Sequence, residues 1–294
     1  MRLCERILFN SGLSGLGSKL RIMHLKRWIT GLAALPFLFL LISKGGAFLF
    51  AVVIVIVCIL ALWEYFRIVL HARGGANQGT IPALGYLTGA GIIWAAYIGS
   101  FEMIIGLIIL NLIVCAMISL SKFKNDSGVS EIITKQVLGI VYIPLFLACL
   151  ILIRNGADGV TWIYFLLFIV FCGDVGAYHC GSYFGRHKLC PAVSPGKTIE
   201  GSIGGLAANL AVGAGFKHFF LPLLPWGLSL LFFIATGVAG QVGDLFESQL
   251  KRVGNRKDSG ELLPGHGGIL DRIDALLFAA PVAYCFKEYI LMAS

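Results

Sequence analysis

Charge is scarce in this sequence. Asp, Glu, Lys and Arg together supply 13% of the 294 residues, against roughly a quarter in an ordinary soluble domain. Hydrophobic residues make up 58% and the mean hydropathy is +0.88. A water-soluble domain of this size has too little interior to hide so much apolar surface, so that class is excluded. Disorder, collagen and a coiled coil fall to the same figures. Also missing is any C-x-x-C pair: Cys4, Cys58, Cys115, Cys149, Cys172, Cys180, Cys190 and Cys285 are scattered, most of them in apolar runs. A disulfide framework or a zinc site is therefore not expected. No internal repeat or low-complexity segment stands out. The net charge is +8, but the basic residues form no single stripe. Nucleic acid is not an expected partner, and anionic lipid surfaces or phosphates are.

What the chain has in abundance is long apolar runs. A bilayer span needs about 20 mostly apolar residues. Nine stretches qualify: 27–43, 46–66, 81–99, 102–120, 136–153, 160–180, 201–219, 226–246 and 270–290. They predict an all-α, polytopic integral membrane protein of about nine transmembrane helices. Residues 1–26 carry Arg2, Arg6, Lys19, Arg21 and Lys26 and read as a basic cytoplasmic extension. They hold no compact apolar region with a small-residue cleavage site, so a signal peptide is not expected, and Met23 offers a second start. Residues 27–294 read as one transmembrane catalytic domain. With the N-terminus in the cytoplasm, only Lys44, Arg154, Lys217 and Lys287 of the 23 Lys and Arg residues fall on the far side, as the positive-inside rule requires. The first five spans read as scaffold or lipid-facing wall.

The later part of the chain holds the chemistry. Eight of the 15 acidic residues lie between Asp174 and Asp274, and ionisable groups within membrane spans mark function. Asp174, Tyr178 and Gly181 share one helix face, either as a structural carboxylate or as part of a polar cavity. In Ser194-Pro195-Gly196-Lys197-Thr198, Ser194 is the expected N-cap and Pro195 the first helical residue. Such a helix start offers N–H groups and partial positive charge to a phosphate, with Lys197 adding a full charge; an ordinary capped helix is the plainer reading. A Walker A loop is excluded, because Pro191 stands where its first glycine would be. Further on, Asp244, Glu247, Ser248 and Lys251 fall on one helical face, and Asp271 and Asp274 form an i, i+3 pair. A polar, glycine-rich loop between them holds Arg252, Arg256, Lys257 and His266. Carboxylates are hard oxygen ligands, and Mg²⁺ characteristically uses one or two of them with substrate phosphates. Arg and Lys neutralise the remaining phosphate charge. Charge and location thus single out Asp244 and Asp271 as candidate metal ligands.

The run from Ser248-Gln249-Leu250-Lys251-Arg252 through Lys257-Asp258 to Pro264-Gly265-His266-Gly267-Gly268-Ile269-Leu270-Asp271-Arg272-Ile273-Asp274 closely resembles the signature of the phosphatidate cytidylyltransferases, the CDP-diacylglycerol synthases. Ser194 to Gly201, Asp174 to Gly185, and Trp63-Glu64-Tyr65 resemble that family as well. The resemblance implies a reaction of CTP with phosphatidate that gives CDP-diacylglycerol and pyrophosphate. It implies a requirement for Mg²⁺, held by Asp244 and Asp271, with a second cation left open. Lys251 and Arg252 join that pair as catalytic candidates. Asp174, Ser194, Lys197, Thr198, Glu200, Ser248, Lys257, Asp258, His266, Arg272 and Asp274 are candidate substrate contacts. The resemblance also implies a bacterial-type inner membrane, with the site facing the cytoplasm and the inner leaflet supplying the lipid. Monomer and homodimer stay open. Two other classes are weighed: a CTP-dependent lipid kinase of the dolichol kinase type, and a cation transporter with Asp174, Asp244 and Asp271 along its path. The second would spread polar residues through the bilayer depth, whereas here they gather at one membrane face.

Overall fold

The computed structural model describes residues 35–70, 79–123, 128–260, 262 and 267–291. The helices are α1 (Leu35–Lys44), α2 (Gly46–Val69), α3 (Thr80–Tyr97), α4 (Phe101–Lys122), α5 (Val129–Ile140), α6 (Phe146–Asn155), α7 (Gly159–Phe184), α8 (Ile199–Phe220), α9 (Trp226–Val253) and α10 (Leu270–Cys285). A π-turn, Val141–Leu145, joins α5 to α6 in one continuous rod, and a second, Phe286–Ile290, extends α10. Each of these helical bodies overlaps one of the nine apolar stretches. Five among the described residues are long and apolar enough to cross a bilayer: α2, α4, the α5–α6 rod, α7 and α9. The protein is an integral membrane protein. In α3 and α8 glycine dilutes the apolar character, and α10 is 16 residues long.

Residue chemistry explains these elements. Pro144 lacks an N–H and its ring crowds the carbonyl one turn earlier; the wider π-turn absorbs both defects. On α4, Ile105, Ile109, Leu110, Leu112, Ile113, Met117 and Leu120 all face outward, as a lipid-contacting wall requires. The inward side of α4 is polar. Asn111 accepts from Thr88 of α3 at 3.0 Å and exchanges hydrogen bonds with Gln136 of α5 at 3.1 and 2.8 Å. Such bonds contribute on average about 0.6 kcal/mol each between membrane helices, and here they fix the order α3–α4–α5.

The tightest pairs are α7 with α8 and α9 with α10. Glycine makes both possible: a Cβ at Gly205 would stand 2.9 Å from the Gly173 carbonyl oxygen, and one at Gly243 2.5 Å from that of Asp274. The small residues of the late spans therefore bring helix backbones together at these positions.

Among the described residues, strands form at one place. Lys188–Cys190 (β1) and Ser194–Thr198 (β2) form an antiparallel ribbon pairing Lys188 with Thr198 and Cys190 with Ser194. Ser194 is thus not the N-cap of α8, contrary to the sequence expectation. A residue before proline is pushed to extended backbone, and the strand continues to Thr198, whose hydroxyl accepts the Gly201 N–H at 3.0 Å. Thr198→Ala is expected to cost about 1 kcal/mol, seen as a lower melting temperature and faster amide exchange in the first turn of α8.

Candidate active site

Four late elements carry the site at one end of the bundle. The Lys197 ammonium, on β2, lies 2.5 Å from Asp244 Oδ2 on α9. Asp174 of α7, Asp244 of α9 and Asp274 of α10 stand within electrostatic range of one another, with Lys197 and Lys251 facing them. One helical turn beyond Asp244, Glu247 is fully buried and ion-paired with Lys251. The Lys251 ammonium also donates to Asp271 Oδ1 at 2.7 Å, so one cation bridges two carboxylates from different helices. Among the described residues Glu247 Oε1 has no hydrogen-bond partner, nor has the buried Tyr142 hydroxyl beneath it. Tyr142 sits on the π-turn and packs edge-on against Phe246 and Phe278.

The second oxygen of Asp271 is the most heavily coordinated acceptor in the site. Asp271 Oδ2 receives the Ser259 N–H at 3.0 Å, the Ser259 hydroxyl at 2.9 Å and the Gly268 N–H at 2.9 Å. These bonds fold both ends of the glycine-rich loop onto one carboxylate. Behind it stands Glu64 of α2, fully buried, which accepts from Ser259 Oγ at 3.0 Å, Ile269 N at 3.0 Å and Leu270 N at 2.8 Å. Two of those donors are amides at the start of α10, so Glu64 caps that helix.

Glu200 is placed differently from the rest. Its carboxylate accepts from the backbone N–H groups of Arg186 and His187 and contacts His187 Nδ1 at 2.6 Å. The His187 side chain, followed by these amides, holds the exposed carboxyl down at about 2, against an ordinary value of 4.5. A depressed carboxyl favours the folded form above its ordinary value. The tether is therefore complete above pH 4.5 and is lost as pH falls toward 2. Exchange rates of the Arg186 and His187 amides, followed against pH, check that window. Arg252 also contacts this ribbon, donating Nε–H to the Val193 carbonyl at 3.1 Å.

The structure therefore brings together Asp174, Lys197, Asp244, Lys251, Asp271 and Asp274. Thr198 and Glu200 shape the ribbon beside them. Ser248 is half-buried on α9, Lys257, Asp258 and Arg272 are exposed, and His266 lies outside the described residues. Sequence reasoning overlooked Glu64 and Ser259 as site residues and gave Glu247 no separate role. For Glu64 two signals were available, a lone carboxylate inside the apolar run of α2 and its place in the family-like Trp63-Glu64-Tyr65; nothing marked Ser259 apart from its neighbours.

The donor set suits a hard cation in part. Among the described residues no three acidic, His or Cys side chains form a ready-made cage. Mg²⁺ seldom demands one, since it keeps waters and takes phosphate oxygens beside one or two carboxylates. Asp244 fits that role: its side chain is 34% exposed and its ion-pair partner, Lys197, is itself 26% exposed and able to swing away.

Comparison with known proteins identifies the family. Residues 25–290 match the model of the cytidylyltransferase family. The phosphatidate cytidylyltransferase of Bacillus subtilis (strain 168) is 35% identical over 270 residues, covering 88% of this chain and 96% of that protein. That of Staphylococcus epidermidis (strain ATCC 12228 / FDA PCI 1200) is 33% identical, covering 87% and 96%. The Brucella suis biovar 1 enzyme is 38% identical over 173 residues, covering 58% and 62%. With the match running across nearly the whole chain, this protein belongs to the cytidylyltransferase family.

Proposed function

We propose that this chain transfers the cytidylyl group of CTP to phosphatidate, giving CDP-diacylglycerol and pyrophosphate. The observation that carries this reading is the pairing of lysines with carboxylates, Lys197 with Asp244 and Lys251 with Asp271 and Glu247, at one end of a membrane bundle. Two polyanionic substrates need cations at hand, and these are held ready by anions that a bound divalent cation would occupy in their stead. The nucleophile is the phosphatidate phosphate. A phosphate monoester has a second pKa near 6, so it is already largely dianionic at neutral pH and no strong general base is called for. Its oxygen attacks the α-phosphorus of CTP in line; the new P–O bond forms as the bond to the β-phosphate oxygen breaks, and pyrophosphate leaves with that electron pair. The chain's residues orient the two phosphates and neutralise their charge. Asp244 and Asp271 would hold Mg²⁺, which supplies further neutralisation when bound.

The same proposal covers topology. All nine helical bodies cross the bilayer, the N-terminus and the site face the cytoplasm, and the membrane is the bacterial inner membrane. The basic extension read at residues 1–26 lies outside the described residues and precedes a single catalytic unit. The bias of Lys and Arg to the site's side supports this arrangement.

The test is incubation of the purified protein with labelled CTP and phosphatidate. A CDP-lipid product with released pyrophosphate is expected; a phospho-lipid with CDP would identify a lipid kinase instead. Neutralising Lys197 or Arg252 is expected to weaken substrate use at least tenfold more than neutralising Lys122, at the end of the lipid-facing α4, and equal effects would reduce both to general surface charge.

A further inference from the structure

We infer that Glu64, on the second helix and far in sequence from Asp174 and the later site residues, is a positioning residue that sets the Asp271 carboxylate through Ser259. The inference builds on the proposed function, but its geometry does not depend on the substrate.

The loop before α10 is constructed around Glu64. A side chain at Gly260 or at Gly268 would put its Cβ 2.5 Å from a Glu64 carboxylate oxygen. Only glycine lets the backbone close over Glu64 at those two points. Just before Gly260, Ser259 is fully buried, and its hydroxyl lies 3.0 Å from Glu64 Oε2 and 2.9 Å from Asp271 Oδ2. That hydroxyl has one proton for two carboxylate oxygens, so Glu64 and Asp271 share a single donor. The remaining lone pairs of Glu64 take Ile269 N and Leu270 N, the latter one residue before Asp271. Asp271 is thereby fixed twice: its helix start is capped by Glu64, and its side chain is tied to Glu64 through Ser259. Lys251, which bridges Asp271 and Glu247, is fixed in turn. A fully buried carboxylate in a membrane helix is costly, and the three hydrogen bonds that satisfy it all come from this one loop.

The test uses the full chain in detergent or vesicles, as wild type, Glu64→Gln, Ser259→Ala and the double variant. A glutamine keeps the volume but offers one acceptor oxygen, so at least one of the three donors loses its partner. The turnover number of Glu64→Gln is expected to fall roughly ten- to hundredfold, as for other outer-shell partners, with KM for CTP unchanged within about twofold. The double variant should be no worse than Glu64→Gln alone, because both changes break one path. Fully multiplicative losses, or wild-type turnover in Glu64→Gln, overturn the proposal. Should Glu64→Gln fail to fold, Ser259→Ala alone decides, with wild-type turnover counting against.

A second measurement needs no activity. The Gly268 and Ser259 amides report on Asp271, whereas those of Ile269 and Leu270 report on Glu64. Faster exchange at Gly268 in Glu64→Gln is expected. Faster exchange confined to Ile269 and Leu270 would reduce Glu64 to a helix cap and sink the inference. Wild-type turnover of CTP and phosphatidate is the separate control on the function: its absence would overturn that reading and leave the exchange result to judge Glu64.

Discussion

Asp244→Asn and Asp271→Asn should each reduce turnover by roughly a thousandfold or more, with the protein still inserted and folded. The size follows from removing a carboxylate that would hold the cation offsetting developing phosphate charge, several kcal/mol of barrier in sites of this kind. The fold should survive for different reasons in the two variants. Asp244 is one-third exposed and its pair with Lys197 is partly solvated, so the pair contributes at most about 1 kcal/mol to stability. In Asp271→Asn the side-chain amide would keep an acceptor oxygen for the loop amides, and Lys251 would keep Glu247. Turnover at limiting Mg²⁺, measured beside the melting temperature in detergent, separates chemistry from folding. Near-normal activity in either variant would end the metal assignment.

A second large effect is expected on stability. Lys251→Met removes the cation from Glu247, which is fully buried and has no other ion-pair partner among the described residues. An uncompensated buried charge costs about 3–5 kcal/mol, enough to drop the melting temperature sharply and to leave little active protein. Replacing both members, Glu247→Gln with Lys251→Met, should restore most of the stability, since losing a buried pair together is far cheaper than breaking it. Activity should not return, because Asp271 would still lack Lys251. Recovery of turnover in the double variant would show that Lys251 serves the fold alone.

The membrane class and the helix positions were legible because hydropathy acts on length: each apolar run of about 20 residues has a helix on it. The charged face of α9 was also legible, since Asp244, Glu247 and Lys251 repeat at helical spacing. Less accessible was anything set by a neighbour in space. The ribbon at 188–198 depends on pairing between strands of three and five residues, too short to read from periodicity, and it moved the helix start from Ser194 to Thr198. Glu64 stood in a family-like stretch at the end of a scaffold helix, but with no role until the loop 195 residues later closed on it. The motif around Asp271 announced chemistry by its composition, but not that Ser259, rather than Asp258, would hold the carboxylate.

The length of α9 sets the depth at which the chain meets its lipid. The helix begins at Trp226, whose ring lies 4.4 Å beneath the Lys217 ammonium, the kind of aromatic–cation pair that anchors at a headgroup boundary. Asp244 follows 18 residues later, about 27 Å along the axis at about 1.5 Å per residue. The hydrocarbon core is about 30 Å thick, so on the proposed topology Asp244 would come to rest at the opposite boundary, with Glu247 and Lys251 one and two turns past it. On α2, the Arg67 guanidinium sits 4.5 Å over Trp63, one residue from Glu64, a second pair of the same kind. On that topology a phospholipid need not rise out of its leaflet to be used: its phosphate would lie at the height of the carboxylates, its acyl chains would stay among their neighbours, and the water-borne nucleotide would do the travelling.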